Sequence, residues 1–282
     1  MWKWKTGVLC LATILLLHVA AQASTNFWSI SGDPNNSFVP DQFSSVDLGA
    51  QSVTTVATLG DGSLGFNGGL TFGPGGLLYS VANDSTGASS FFSVQLDGST
   101  TLIGSAGGLG SGFLGGLTYD SANGTFYAAV QDTLGNSSLY SITSGGVATA
   151  LGQNLGTGFS GLAYDSTNGL FYGIGNDNGG NSTLYDFSLG GPVNLVAALG
   201  VGFGGLTYDS PNNVFWVIQG VNNAGSQLLQ ISPAGAESSS FMTLGDGFAE
   251  LVVATPEPRS VGGIAIAFLV GAGFLGMSRR RS

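Results

Sequence analysis

The segment Gly202–Ser210 reads GFGGLTYDS, and close copies of it recur along the chain. Gly112–Ser121 reads GFLGGLTYDS, and Gly158–Ser166 reads GFSGLAYDS. An earlier copy, Gly65–Phe72, reads GFNGGLTF, and a shortened copy at Gly247–Val252 reads GFAELV. A segment that returns in this way indicates a structural repeat, so the fold is built from one unit used several times.

The phenylalanine of each copy marks a constant period. The marker residues are Phe66, Phe113, Phe159, Phe203 and Phe248, which lie 47, 46, 44 and 45 residues apart. Each complete unit holds four short strand-like runs separated by Gly/Asn-rich turns, and no segment of useful length has a helical period. A period near 45 with four strands per unit is typical of a β-propeller blade, so the sequence predicts an all-β propeller body.

The two ends of this body complete the ring. Phe27–Ile30, Phe43–Leu48 and Ser52–Leu59 resemble the second, third and fourth strands of a blade, and Gly247–Val253 supplies the missing first strand. We therefore expect five blades of four strands, closed by pairing of the N- and C-terminal strands, which leaves few free sheet edges. An open β-solenoid and a β-sandwich are the alternatives, although an open array would need polar capping repeats.

Glycine precedes the marker phenylalanine in every copy. Turns with positive φ and strands crowded around a narrow axis both favour glycine. A phosphate-cradling loop is the other use of a Gly-rich motif, but such a loop needs a following helix. We therefore expect the glycines to be structural.

The charges are distributed unevenly. All six basic residues lie near the ends: Lys3, Lys5, Arg259, Arg279, Arg280 and Arg281. Residues 24–258 contain 16 acidic residues and no Lys or Arg, so we expect no nucleic-acid binding and no P-loop nucleotide site. Solubility by self-repulsion is the simplest role of this acidity, and Ca²⁺ binding is the alternative.

The side chains that most enzymes use are missing from the body. Cys10 is the only Cys and His18 the only His, and both lie in the N-terminal apolar segment. Without that segment there is no disulfide, thiol nucleophile, imidazole base or His- or Cys-ligated metal. A glycosidase with two carboxylates is the admissible enzyme class, but no pair of acids stands out from the repeats, so we expect no catalysis and no cofactor.

Residues 1–23 read as a secretory signal peptide. Lys3 and Lys5 form its positive region, Val8–Ala20 its apolar core, and the small residues Ala21 and Ala23 its cleavage site. The chain is therefore expected to be exported and cut after Ala23.

The C-terminus carries a second membrane signal. Val261–Met277 is an uncharged run of 17 residues, about 25 Å long as a helix and just enough to span a bilayer. Arg279, Arg280 and Arg281 follow it and should remain cytoplasmic by the positive-inside rule. The predicted topology places the body outside the inner membrane, in agreement with the signal peptide.

The residues before this run carry a recognisable motif. Pro256, Glu257 and Pro258 precede the apolar run and the terminal arginines, and this order resembles the PEP-CTERM sorting tail of Gram-negative bacteria over residues 254–282. The resemblance implies recognition of the tripeptide by an exosortase, cleavage near it, and display in a cell that makes exopolysaccharide. An ordinary permanent membrane anchor is the alternative.

Two sets of residues are candidate sites. Asp120, Asp165 and Asp209 recur at one position and are expected to cap Asx-type turns, with a shared Ca²⁺ or ligand ring as the alternative. The loops between the second and third strands, 82–90, 131–138, 175–183 and 219–227, should gather on one face and could bind sugar or Ca²⁺. The residues predicted to bind a ligand there are Asp84, Asp132, Asp177, Asn178 and Asn222, and ordinary solvated loops are the alternative.

The sequence thus divides into a signal peptide (1–23), a propeller body (24–253) and a sorting tail (254–282). The expected function is that of an exported surface or extracellular-matrix protein with a structural or interaction role in an exopolysaccharide or biofilm context. A carbohydrate- or Ca²⁺-dependent binding module and a carboxylate glycosidase are the alternatives.

Overall fold

The computed structural model describes residues 26–32, 40–60, 62–66, 69–106, 109, 114–221, 225–245 and 247–254. Its strands, in chain order, are β1 (Asn26–Ser31), β2 (Asp41–Asp47), β3 (Ser52–Leu59), β4 (Leu64–Gly65), β5 (Leu70–Phe72), β6 (Leu78–Asp84), β7 (Ser89–Val94), β8 (Thr100–Ser105), β9 (Leu114–Asp120), β10 (Thr125–Gln131), β11 (Asn136–Ile142), β12 (Ala148–Thr157), β13 (Phe159–Asp165), β14 (Leu170–Asn176), β15 (Asn181–Phe187), β16 (Val193–Val201), β17 (Phe203–Asp209), β18 (Val214–Val221), β19 (Gly225–Ile231), β20 (Met242–Gly245) and β21 (Phe248–Val253). A short 3-10 turn, Pro74–Gly76, lies between β5 and β6.

These strands form five antiparallel sheets, which are the blades of a β-propeller. Blade 2 is β9–β12, blade 3 is β13–β16 and blade 4 is β17–β20, each running in order from the inner to the outer strand. In blade 1, β6 to β8 follow an inner strand that is split into β4 and β5. The inner strands touch one another in the cyclic order β5, β9, β13, β17, β21 and back to β5, so the ring is closed.

Blade 5 joins the two ends of the body, as the sequence predicts. Its sheet order is β21, β1, β2, β3, with the C-terminal strand innermost. Phe27 lies opposite Val253 and Ser29 opposite Leu251 in the closing pair. The expectation of five blades closed by the terminal strands is therefore confirmed.

The predicted signal peptide and the predicted span 261–277 lie outside the described residues. Among the residues that are described, no helix is long and apolar enough to cross a membrane.

The hydrophobic core is divided among the seams between neighbouring blades. One cluster joins Val81 and Phe91 of blade 1 to Phe126 and Ile142 of blade 2, and the other four seams each have a comparable cluster. A buried cluster in every seam means that each blade is stabilised by its neighbours and not by a core of its own.

The marker phenylalanines are held by polar groups of the preceding blade. Phe159 N–H donates to Ser137 Oγ at 3.0 Å, and Gln131 Nε2 donates to the Phe159 carbonyl at 2.7 Å. Phe203 N–H likewise donates to Ser182 Oγ at 2.9 Å, and its carbonyl accepts from Asn176 Nδ2 at 3.1 Å. This pair of bonds, here named the blade clamp, satisfies both main-chain groups of a buried residue and fixes the distance between blades.

Glycine allows the inner strands to approach one another. A Cβ on Gly116 would lie 2.4 Å from Leu162 N, and one on Gly69 would lie 2.3 Å from Leu117 N. The glycines directly before the markers, Gly158 and Gly202, have φ of 67° and 81°. Both roles expected for glycine are therefore confirmed: positive-φ turns and close contact near the axis.

The outer strands β3, β8, β12 and β16 contain no charged residue and expose apolar side chains such as Leu195, which is 68% exposed. Uncharged edges invite pairing with another chain. Each of these strands, however, has a register shift against its neighbour. Turns from the next blade also pack on them, with Gly235 against Ala197 and Gly98 against Ala57. Bulges and covering turns are recognised ways of protecting an edge.

The blade clamp generates a test. Replacing Ser182 by Ala leaves the buried N–H of Phe203 without its acceptor, so the free energy of unfolding should fall by about 1–3 kcal/mol. The measurement is urea unfolding followed by far-UV circular dichroism. Ser121→Ala, which changes an exposed serine, is the matched control, and equal stabilities of the two variants would contradict the clamp.

Candidate functional site

The three repeated aspartates close the turns that follow the inner strands. Each carboxylate accepts a main-chain N–H from its own turn, such as Ala122 N–H to Asp120 Oδ1 at 2.9 Å. Each also accepts a hydrogen bond from the side-chain amide of the asparagine three positions later. The Oδ2···Nδ2 distances are 2.6 Å for Asp120–Asn123, 2.6 Å for Asp165–Asn168 and 2.8 Å for Asp209–Asn212. The predicted Asx-type turns are therefore confirmed.

These aspartates also connect neighbouring blades. The hydroxyl of Tyr164 faces Asp120 of the preceding blade, and that of Tyr208 faces Asp165. The Tyr208 hydroxyl donates to Asn213 Oδ1 of its own blade at 2.9 Å. Burial, with the negative charge of these aspartates as a smaller contribution, raises the pKa of both tyrosines above the ordinary value. The carboxylates are buried and engaged, which favours the structural role over a shared ligand ring.

The predicted ligand residues Asp84, Asp132 and Asp177 lie in the turns between second and third strands. In each turn the carboxylate accepts N–H groups from residues two and four positions later; for Asp177 these come from Gly179 at 2.8 Å and Asn181 at 2.9 Å. Side-chain hydrogen bonds are the largest of the effects that hold the pKa of these three aspartates below the ordinary value. Hydrogen bonds within the turns thus occupy both oxygens of Asp132 and Asp177 and Oδ1 of Asp84.

These turns share a pattern that the sequence reasoning missed. The order Asp-x-x-Gly-x-Ser occurs at Asp84–Ser89, Asp132–Ser137 and Asp177–Ser182. Its serine supplies the blade clamp in the second and third cases. The constant spacing between the aspartate and the serine, in phase with the marker phenylalanine, is the signal that identifies this role.

The remaining predicted ligand residues are Asn178 and Asn222. Asn178 lies at the exposed tip of its turn, and Asn222 lies outside the described residues. Within the part of the chain that is described, no three acidic, His or Cys side chains converge as a metal site would require.

An axial pocket of about 140 Å³ lies at the C-terminal end of the inner strands, away from the turns between second and third strands. Equivalent residues of the five inner strands line it: Leu70, Thr71, Phe72, Leu117, Thr118, Tyr119, Leu162, Ala163, Tyr164, Leu206, Thr207, Tyr208, Val252 and Val253. None of these side chains is charged at neutral pH, so the pocket suits water or a small neutral group. The sequence reasoning did not single it out, although the repeated Leu-Thr-Tyr order marks its wall.

Comparison with known proteins defines the class of fold. No protein-family model and no curated protein matches the chain. The structure of TolB from Acinetobacter baumannii matches with a TM-score of 0.51 and 14% identity, over 76% of this chain and 52% of that chain. A chain of a nidogen–laminin complex matches with a TM-score of 0.53 and 12% identity, over 83% of this chain and 99% of that chain.

A third structure, a structural genomics protein of unknown function from Bacteroides thetaiotaomicron, gives a TM-score of 0.50 with 19% identity, over 79% of this chain and 59% of that chain. The chain therefore spans about half the length of TolB. At these identities the likeness bears on the fold alone and supports a β-propeller; the number of blades, five, comes from the sheets of this chain.

The turn aspartates predict a response to acid. An ionised Asp177 contributes stability above its unfolded pKa of 3.8, and this contribution is lost as the pH falls towards the lower folded pKa. Asp177→Asn keeps an oxygen acceptor for the turn but removes the ionic contribution. Its melting temperature should lie a few degrees below that of the wild type at pH 7, and the difference should shrink at pH 3.

The control for this comparison is Glu237→Gln, which removes one exposed carboxylate without altering a turn cap. Melting temperatures are measured by circular dichroism at both pH values. A difference between Asp177→Asn and the wild type that is the same at pH 3 and pH 7 would contradict the capping role.

Proposed function

We propose that this chain is an exported, exosortase-processed propeller that acts without catalysis at the cell surface or in the extracellular matrix of an exopolysaccharide-producing cell. One observation carries the proposal. The last strand of the ring ends at Val253, three residues before Pro256, so the whole sorting tail 254–282 follows the closed fold. Removal of such a tail leaves every strand of the propeller in place, as a processed precursor requires.

The charge of the body limits its partners. The described residues contain no Lys or Arg, and their acidic side chains lie mainly in turns or at strand ends. An anionic polymer would be repelled by this surface. A neutral exopolysaccharide is therefore the proposed partner, recognised by hydrogen bonds from Asn-rich turns and by the uncharged lining of the axial pocket.

The two alternatives have less support. The aspartates proposed as Ca²⁺ or sugar ligands already accept hydrogen bonds within their turns. A glycosidase needs two carboxyl groups facing one cavity, and no carboxyl group lines the axial pocket. An interaction role is the better match to a neutral pocket and capped turns.

The processing step is tested by intact-protein mass spectrometry of the chain produced in an exosortase-containing host. The mature form should begin at Ser24 and end near residues 256–259. Replacing Pro256, Glu257 and Pro258 together by Ala should leave the tail attached and the protein in the membrane fraction. Retention of residues 261–277 in the wild type, equal to that in an exosortase-deletion strain, would contradict the processing step.

The interaction role is tested by co-sedimentation of the protein with exopolysaccharide from the same cultures. The processed protein should sediment with the isolated neutral exopolysaccharide, and it should do so in EDTA as well as in Ca²⁺. The control is a strain that makes no polysaccharide. A processed protein that stays fully soluble with the polymer present would contradict the interaction role while leaving the processing result intact.

A further inference from the structure

The seam between blade 5 and blade 1 differs chemically from the others. Two positions at which one blade contacts the next hold small neutral residues in the other seams. The residue that accepts the N–H of the marker phenylalanine is Ser137 between blades 2 and 3 and Ser182 between blades 3 and 4, but Asp41 between blades 5 and 1. The inner-strand residue facing the next blade is glycine elsewhere, as at Gly116 and Gly161, but the equivalent position in β21 is Glu250. The seam between blade 5, which holds the C-terminal strand, and blade 1 thus contains two buried carboxyl groups.

Glu250 lies across this seam. Its side chain is only 7% exposed, and its carboxyl group accepts a hydrogen bond from Gly69 N–H of blade 1. Its main-chain carbonyl accepts from Ser29 Oγ of β1. Glu250 therefore contacts both the strand that closes the ring and the blade that follows it.

Asp41 occupies the clamp position of the same seam. Its Oδ2 accepts from Phe66 N–H of blade 1, and the side chain is buried. A neutral serine at this position elsewhere makes the equivalent bond to the marker phenylalanine. With an acid in place of serine, the N–H bond of the clamp is kept, but it becomes sensitive to ionisation of the carboxyl group.

No cation among the described residues compensates these carboxyl groups. The described residues contain no Lys or Arg. Four strands pack against β21, and three of them, β1, β5 and β18, carry no titratable group. The fourth, β17, carries Tyr208 and Asp209, whose interactions are with residues of blades 3 and 4. Asp41 lies in β2, and the two strands paired with β2, which are β1 and β3, carry no titratable group. An ionised carboxylate in this seam would therefore be buried without a charge partner, which is costly.

We propose that Glu250, supported by Asp41, makes closure of the propeller ring depend on protonation: neutral carboxyl groups hold blade 5 against blade 1, and ionisation weakens that seam. At the two equivalent positions the other seams have serine and glycine, which do not titrate.

The sign and range of the effect follow from the two states of Glu250. Burial raises its pKa to about 8 in the folded protein, against a smaller opposing effect of Gly69 N–H, from an ordinary value of 4.5. Burial raises the pKa of Asp41 as well. Stability from protonated Glu250 is thus fully present below pH 4.5 and is lost as the pH rises to about 8. The folding equilibrium constant should fall by up to about tenfold per pH unit in this range.

Urea unfolding of the full-length protein from pH 5.5 to 9 tests this. The wild-type folding constant should fall steadily to about pH 8 and then level off, whereas Glu250→Gln should lose most of that slope. Glu237→Gln, with an exposed carboxyl group removed, should keep the wild-type slope. His18 is present in all three proteins and cannot produce a difference. Equal slopes in the wild type and Glu250→Gln would overturn the proposal.

A second measurement needs no variant that must fold. The chain contains three glutamates, Glu237, Glu250 and Glu257, so ¹³C labelling of glutamate gives three side-chain carboxyl signals in NMR. One of these signals should titrate near pH 8. The absence of any glutamate signal that titrates near pH 8 would overturn the proposal regardless of how Glu250→Gln behaves.

Discussion

The hydrogen bonding of the marker phenylalanine to the preceding blade is the constraint on which the ring depends. An inner strand has a sheet partner on one side only, so its buried main-chain groups need partners elsewhere. A serine and an amide side chain of the neighbouring blade supply them at Phe159 and Phe203. Both bonds are present at these two seams, and the N–H bond recurs at Phe66, where Asp41 accepts it, so in these places each blade sets the position of the next one. The aromatic and aliphatic clusters then fill seams whose width is already fixed.

The blades and their closure could be predicted from the sequence because they rest on local patterns: alternating strands, Gly/Asn turns and evenly spaced phenylalanines. The turns capped by aspartates could also be predicted from the sequence, since an Asx turn involves residues two or three positions apart. The clamp could not be predicted, because Ser182 and Phe203 belong to different blades and only the packing of those blades brings them together. For the same reason the sequence predicts a ligand role for Asp177 but does not reveal that its carboxylate closes the turn that presents Ser182. The split inner strand of blade 1 also escaped prediction, since Gly65–Phe72 retains most of the repeat.

The placement of charge connects fold, stability and proposed function. Carboxylates in the turns are hydrogen-bonded by N–H groups and are stabilising when ionised. Glu250 is in the opposite situation, because burial favours its neutral form. The described residues contain no Lys or Arg, and the side chains that line the axial pocket and form the bulged outer strands are neutral. The proposed contact with a neutral polymer requires such surfaces, and the last strand of the ring ends at Val253, before the predicted sorting tail begins.

The central claim is that β21 completes the fold and that nothing after it is needed. The most direct measurement compares thermal unfolding, by circular dichroism, of a chain that ends at Ala254 with one that ends at Gly247. The first should melt with the same cooperativity and at the same temperature as the full chain. The second lacks the inner strand of blade 5, exposes Phe27 and Ile30, and should lose its cooperative transition. Equal melting of both truncated chains would contradict ring closure by Phe248–Val253.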